Sequence, residues 1–385
     1  MVRIAHYLGM NATKFVSNAA MKVGIPKEIK NREYRVAATP DCVRAYVAQG
    51  NAVAVQQDAG LGAGFENAEY LAAGATLLPD AASVYAFADM IVKVKEPLSS
   101  EYELMKPGQT LYTYLHLAAV PELAVALMRQ QVTAIAYETI QLGDGSLPCL
   151  APMSAIAGRL SVQEGAKYLE RPYGGRGVLL GGVPGVERGK VVVIGGGVVG
   201  THAAKMAVGL GADVTILELS HRRLSELDDL FGGRVQTLHS NAGNLVKSLA
   251  NADLVIGAVL VTGARAPKLI RREHLSRMLP GALIVDVAID QGGCAETIRA
   301  TTHDDPVYEV DRVLHYAVPN MPAAVARTST LALTSTTLPY GLLLAARGFE
   351  AAAAVRPELR HGLNAAAGKI THPVVAAALA LPHAA

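Results

Sequence analysis

The stretch Lys190–Leu219, KVVVIGGGVVGTHAAKMAVGLGADVTILEL, carries a complete strand–turn–helix–strand unit in one run. An apolar strand leads into Gly195. Gly195, Gly197 and Gly200 follow the G-x-G-x-x-G spacing, a helix pattern stops at Gly211, and a second apolar strand ends on Glu218. Gly195 permits the tight turn, Gly197 lets backbone approach a pyrophosphate, and Gly200 allows close helix packing. Phosphates then sit on the free N–H groups and positive dipole end of the helix. The glycine pattern alone is weak. With strand, helix and acid at the required distances it predicts a Rossmann dinucleotide-binding fold. Glu218 is placed to accept hydrogen bonds from the adenosine ribose hydroxyls and to repel a 2′-phosphate, which favours NAD over NADP. Arg222 and Arg223 follow closely, and arginine here is the usual device for holding that phosphate.

Working outward, the chain from Met21 alternates short apolar runs with helix-length amphipathic stretches, the signature of parallel βαβ units. KVGIP opens the series. TPDCVRAYVAQG has Thr39 as N-cap, Pro40 at the first helical position and Gly50 past the end. AVAVQ, MIVKVKEP, TLYTYLHLAA, the Pro121-initiated PELAVALMRQQ and TAIAYETI continue the alternation. The glycine-dense GGRGVLLGGVPGVERG precedes the dinucleotide unit as a loop, and ADLVIGAVL and ALIVDVAID extend the second series. Beyond about residue 325 the patterns are helical only, TLALTSTTLPYGLLLAARG and FEAAAAV. Helices without strands need a sheet to cover, so the expectation is an α/β protein of two open parallel-sheet domains. The first, residues 21–148 and 326–385, is a discontinuous substrate domain completed by C-terminal helices; the second, 149–325, is the NAD-binding Rossmann domain.

The 385 residues are 51% hydrophobic, ample for two cores, and 35 basic against 33 acidic residues are mixed along the chain. No electrostatic footprint for nucleic acid or anionic membrane arises from a net charge of +2. Small molecules and further copies of the chain are the expected partners. Cys42, Cys149 and Cys294 are odd in number and lack metal-ligand spacing, which argues against a disulfide framework or a metal site and fits a cytoplasmic protein. The longest charge-free stretch, Thr328–Ala346, is broken by Ser, Thr and Pro339, against a membrane span. Residues 1–20 lack acidic residues and the apolar core of a secretory signal. They read as an upstream start or appended extension rather than a targeting peptide.

A nicotinamide cofactor implies hydride transfer, so the protein must hold a substrate and move a proton. Arg35, just after the first strand, offers a fork suited to a carboxylate. Lys95 and His116 each end an apolar run, one as a compact charge and the other as a group titrating near neutrality. Ligands of open α/β sheets bind beyond the carboxyl ends of strands, where these side chains fall. On spacing alone, Arg35 or Lys95 as surface charges and His116 as a core histidine stay open. Lys93 shares the strand face of Lys95, so the pattern does not separate them. In the second series Asp290, before two glycines, would face the nicotinamide end of the cofactor, with Asp286 the competing acid.

The segments VGIPKEIKNREYRVAATP, KVKEP, YLHLAA, YETIQ, LAPMSAIAGR, GGVPGV, VVVIGGGVVG, ADLVIGAVLV, APKLI and VDVAIDQGG followed by NMPA resemble alanine dehydrogenase, in order and over nearly the whole chain after Met21. The NAD-binding alpha subunit of proton-translocating transhydrogenase is the alternative; it shares the opening strand and nucleotide unit but not the LHLAA histidine. The resemblance implies that Arg35 and Lys95 hold the carboxylate and oxo group of pyruvate or L-alanine. It makes His116 the acid/base, with Asp290 as second proton-transfer residue. For NAD it points to Ser154, Val198, Glu218, Arg223, Ser240, Val259, Leu260, Val287, Ala288, Ile289, Asp290, Arg299, Val318, Pro319, Asn320 and Met321. It further implies reversible deamination of L-alanine to pyruvate and ammonia, and a hexamer. Two departures stand out: Glu218 replaces the usual aspartate, and the segment before Met21 is additional.

Overall fold

The computed structural model describes residues 20–259 and 266–381; the leader reading of residues 1–20 therefore lies outside the described residues, apart from Ala20. The chain forms two compact units, one from residues up to Cys149 together with those from Leu333 onward, the other Leu150–Ala332.

In the first unit the strands are β1 (Lys22–Ile25), β2 (Ala52–Gln56), β3 (Thr76–Leu78), β4 (Met90–Val92), β5 (Thr110–Thr113) and β6 (Thr133–Ala136). Their sheet order is β6-β5-β4-β1-β2-β3, all parallel. The chain leaves β1 on one side through β2 and β3, then returns to its other side for β4 to β6. That reversal between β1 and β4 is the topological switch point where such sheets bind ligands. β4 is buried along its whole length, as expected of a parallel strand covered on both faces. Gly24 is required by one such cover: a Cβ there would lie 2.7 Å from Ala88 Cβ and 2.8 Å from Val84 Cγ1. The helix Pro40–Ala48 starts as read, with Thr39 Oγ1 accepting the Cys42 amide at 3.3 Å and Pro40 at its first position.

The C-terminal segment departs from the helices-only expectation. After the helix Ala326–Val355, broken at Gly348 (φ 70°, ψ 174°), come two short strands. They are β14 (Leu363–Ala366) and β15 (Lys369–Ile370), which extend the first sheet beyond β6 in antiparallel fashion. Alanine-rich LNAA has little β preference of its own. Pairing with β6 and the turn at Ala367 (φ 47°) and Gly368 (φ 73°) make it a strand. No described helix is long and apolar enough to cross a membrane.

The second unit holds β7 (Lys190–Ile194), β8 (Asp213–Glu218), β9 (Gln236–His239), β10 (Leu254–Gly257), β11 (Leu283–Asp286), β12 (Val307–Val310) and β13 (Val313–Tyr316). The order is β12-β13-β11-β10-β7-β8-β9, parallel except for the edge strand β12. Omitting β12, this is the doubly wound Rossmann order, reversing between β7 and β10. Val192, Ile194, Val255 and Ile284 form the core of one face. On the other, Gly158 of the helix Ala151–Tyr168 admits the helix Val198–Gly209: a Cβ there would lie 2.2 Å from Val199 O.

Candidate active site

In the first unit the basic residues singled out from sequence follow β1, β4 and β5, at the switch point. The strands end earlier than the apolar runs suggest: β4 stops at Val92 and β5 at Thr113. Lys95 and His116 therefore stand on the loops beyond, where side chains are not confined to alternate faces of a sheet.

This separates the two lysines. Lys93 is fully buried, its ammonium 3.0 Å from Glu101 Oε1 and 3.3 Å from Glu28 Oε2. Burial would lower its pKa, but the two carboxylates outweigh that and hold it above the ordinary value. It is an interior counter-ion. Lys95 is half-buried, and its loop is pinned from two sides. Glu28 Oε1 accepts the amides of Val94 at 2.6 Å and Lys95 at 3.4 Å, while the Thr113 hydroxyl donates to Lys95 O at 2.9 Å.

His116 presents an imidazole whose side chain is 41% exposed, so it is no core histidine. Its Nδ1 lies 3.3 Å from Glu96 Oε2, and the Lys30 ammonium takes Glu96 Oε1. Burial would raise the Glu96 pKa, but hydrogen bonding and charge from His116, with Lys30 and Lys95, carry it well below the ordinary carboxylate range. Glu96 thus joins His116 by direct contact and lies within the field of Lys95. Arg35 is buried, and the edge formed by Nε and Nη2 is given to Glu33 at 2.7 and 2.5 Å, which fixes the guanidinium plane. Glu28, Lys30, Glu33 and Glu96 were not among the residues read from sequence. Glu96 adjoins Lys95 in KVKEP and Glu28 and Lys30 lie in IPKEIK, but nothing in the spacing marks them as partners.

In the second unit Gly195, Gly197 and Val198 follow β7, Glu218 ends β8, Ser240 follows β9, Val259 follows β10, Val287–Asp290 follow β11, and Val318–Met321 follow β13. All six strands run in one direction, so these positions share one sheet edge. Leu260 lies outside the described residues. Ser154 is in the first turn of its helix. Arg299 lies in the connection after β11, its guanidinium 4.0 Å from the Tyr308 ring centroid.

The glycine turn fits a dinucleotide. Gly195 has φ +102°, and a Cβ on Gly200 would fall 1.8 Å from Gly195 O. Among the described residues nothing lies within 4 Å of a Cβ built on Gly197, which leaves that side of the turn open to a ligand. It is the N-cap of the helix Val198–Gly209 without a side-chain cap, so the helix's first N–H groups remain for phosphate. Glu218 Oε2 accepts the Gly196 amide at 2.7 Å, and Oε1 accepts those of Leu219 and Ser220 at 2.8 and 2.9 Å. Three of about four acceptor positions are used, leaving room for a ribose hydroxyl. Arg223 grips the same turn, donating from Nε to Gly196 O and from Nη2 to Thr201 Oγ1, both at 2.8 Å, with Nη1 on Glu226. Its guanidinium is thereby committed to the glycine turn. Arg222 is exposed and pairs with Glu226.

The two acids after β11 separate as well. Asp286 is buried. Its Oδ1 accepts the Ala288 amide at 3.1 Å, and its Oδ2 accepts those of Cys294 and Ala295 at 2.7 and 3.1 Å. Burial nonetheless raises its pKa. Asp290, in the 3₁₀ turn Val287–Gln291, is exposed. Lys268 Nζ donates to the carbonyls of Gly292, Gly293 and Ala295 and fixes the loop that follows. Among the described residues no group of side chains could hold a metal ion.

Comparison with known proteins matches both units. The family model "Alanine dehydrogenase/PNT, N-terminal domain" covers residues 24–157, and "Alanine dehydrogenase/PNT, C-terminal domain" covers 161–373. The alanine dehydrogenase of Methanococcus maripaludis is 57% identical over 364 residues, 94% of this chain and 98% of that one. A solved L-alanine dehydrogenase superposes with a TM-score of 0.91 at 54% identity, covering 94% of this chain and 99% of its own. A transhydrogenase structure from Sinorhizobium meliloti gives 0.79 at 25% identity, covering 91% and 99%. With both domain models matched in order and more than half of the residues shared with a full-length relative, the chain belongs to the alanine dehydrogenase/PNT family.

Proposed function

We propose that the protein is an NAD-dependent L-alanine dehydrogenase, catalysing the reversible oxidative deamination of L-alanine to pyruvate and ammonia. The observation that carries this reading is the pairing of an exposed imidazole with a buried carboxylate beside a half-buried lysine, all beyond the carboxyl ends of adjacent parallel strands. The likeness to alanine dehydrogenases, at more than twice the identity of the transhydrogenase, places the chain on the dehydrogenase side of the family.

Bound NAD supplies the acceptor for the hydrogen and electron pair that leave the alanine Cα. Arg35 and Lys95 hold the substrate carboxylate and the nitrogen- or oxygen-bearing carbon. His116, with Nδ1 turned to Glu96, uses its other nitrogen to take a proton from the water that attacks the substrate imine and to return one to departing ammonia. Asp290 assists as a second proton-transfer group. The unit with β1 to β6 is the substrate domain, and the one with β7 to β13 binds NAD through Ser154, the glycine turn with Arg223 bracing it, Glu218, Ser240, Val259, Val287–Asp290, Arg299 and Val318–Met321. The protein works as a cytoplasmic homo-oligomer, a hexamer as the family likeness implies; three buried, unpaired cysteines agree with a reducing compartment.

The test is NADH oxidation with pyruvate and ammonium, set against other 2-oxo acids. Pyruvate is the expected substrate; inactivity with every oxo acid, or ammonium-independent transfer to a second nucleotide, overturns the reading. His116→Ala is expected to bind NADH normally and to lose about 10²- to 10⁴-fold in turnover. Loss of less than about tenfold removes His116 from the reaction.

A further inference from the structure

His116 has a backbone that a side-chain-bearing residue rarely adopts. With φ 49° and ψ 33° it is left-handed, at the N-cap of the 3₁₀ turn Leu117–Ala119. Such a conformation persists only where its surroundings over-determine it. The His116 carbonyl closes the following turn by accepting the Ala119 amide, and on the N–H side the hold is one carboxylate. Glu138 Oε1 accepts the His116 amide at 2.7 Å and the Leu115 amide at 3.1 Å, and its Oε2 lies 3.3 Å from the Leu115 amide. Glu138 comes from the 3₁₀ turn Tyr137–Thr139 directly after β6, the parallel neighbour of β5, so it reaches across the sheet edge to the chain leaving β5. Two consecutive amides converging on one anion make a concave nest. Leu115 is fully buried, and its amide would be left without a partner if the carboxylate were gone.

We infer that Glu138 is the positioning residue for His116, an inference that rests on the reading of His116 as the acid/base. The hold acts on the backbone, while Glu96 acts on the ring. Together they fix both the origin and the plane of the imidazole. The device occurs a second time at the same sheet edge, where Glu28 Oε1 accepts the consecutive amides of Val94 and Lys95. Both side chains assigned to the chemistry on loops after β4 and β5 therefore start from an amide pair gathered by a carboxylate. Glu28 is tied into the buried Lys93 cluster, whereas Glu138 is half-buried and is the one suited to substitution.

The task asked of Glu138 is reach to two amides, so geometry rather than charge must decide its replacements. Glu138→Gln keeps an acceptor oxygen at the same distance along the side chain; Glu138→Asp keeps the charge and withdraws it by one methylene. Glutamine is expected to retain turnover to within about threefold, and aspartate and alanine to lose about tenfold to a hundredfold, the scale of a misplaced catalytic group. NADH dissociation and the pyruvate KM should stay unchanged in all three. Hydrogen exchange at the Leu115 and His116 amides should accelerate in Glu138→Asp and Glu138→Ala and stay slow in Glu138→Gln. If alanine does not fold, the aspartate and glutamine pair still decides. An active aspartate variant with an inactive glutamine one overturns the inference, as does slow exchange in the aspartate variant. Fast exchange with wild-type turnover overturns the part played in the reaction. A failure of the acid/base reading itself is seen separately, as full turnover in His116→Ala, while the exchange measurement still reports on the Glu138 hold.

Discussion

The imidazole Nδ1 of His116 is 3.3 Å from Glu96 Oε2, and the second oxygen of that carboxylate is held by Lys30. A histidine whose inner nitrogen faces a fixed acceptor has its tautomer and its ring plane chosen for it, as in carboxylate–histidine pairs elsewhere. Glu96→Gln is expected to lower turnover by about tenfold or more while leaving NADH affinity unchanged, since the proposed proton-transfer group loses its orienting anion. Steady-state kinetics with an NADH titration checks this. Turnover equal to wild type would show that Glu96 only neutralises lysines.

The same carboxylate sets a pH dependence. Burial would raise its pKa, but His116, Lys30 and Lys95 together take the folded value well below the ordinary 4.5. The unfolded chain thus takes up the proton first as pH falls. The stabilising contribution is fully present above the unfolded value and is lost as pH drops through the folded one. Urea unfolding across an acid series should show wild type more stable than Glu96→Gln near neutrality, with the difference shrinking only on the strongly acidic side. A difference that grows as pH falls contradicts the ion-paired state.

Lys93 and Lys95 differ in what their removal costs. Lys93→Ala leaves Glu28 and Glu101 buried without their counter-ion, a change of the kind that destabilises by about 3–5 kcal/mol. A large drop in thermal midpoint is expected. Lys95→Ala should fold with little loss and instead raise the pyruvate KM while lowering turnover, because in the proposed reaction that ammonium touches both ground and transition states. The reverse assignment of phenotypes would make Lys93 the substrate-binding group.

How far the sequence reached follows from how local each signal is. The dinucleotide unit is legible because its turn, helix and acid lie within one run, and the glycine spacing reports backbone geometry directly. The choice between Lys93 and Lys95 is not, since it is made by Glu28 from a distant segment, by Glu101 folding back from the turn Ser99–Leu104, and by the early end of β4. The hairpin β14–β15 is hidden for a related reason: Leu363–Ala366 is a strand by virtue of pairing with β6, more than two hundred residues away in the chain. Arg223 reads as a phosphate-binding charge by position, yet the structure spends it on Gly196 and Thr201. That commitment supports the NAD preference by a route that spacing does not reveal.

Gly197 and Gly200 separate two meanings of one motif. A Cβ on Gly200 collides with Gly195 O at 1.8 Å, so Gly200→Ala must deform the turn even without ligand. Gly197→Ala meets no neighbour within 4 Å among the described residues and should leave the thermal midpoint of the ligand-free protein unchanged. Its effect should appear only as weaker NADH binding, because the added methyl occupies the surface the pyrophosphate needs. Ligand-free melting curves beside NADH titrations check both, and undiminished affinity in Gly197→Ala would move the phosphates away from this turn.

Asp286 and Asp290 are four residues apart, one buried and one exposed. Asp286→Asn replaces one acceptor oxygen with a donor against the amides of Ala288, Cys294 and Ala295, so at least one buried N–H loses its partner. Removing such a partner costs about 1–3 kcal/mol. The variant should melt lower and bind NADH more weakly as the loop loosens. Asp290→Asn changes an exposed side chain on a turn followed by a loop that Lys268 already fixes through three carbonyls. It should melt like wild type and lose turnover without losing NADH affinity. Melting curves, NADH titration and turnover on the two variants decide, and an Asp290→Asn enzyme with wild-type turnover across the pH range would return the proton-transfer task to His116 alone.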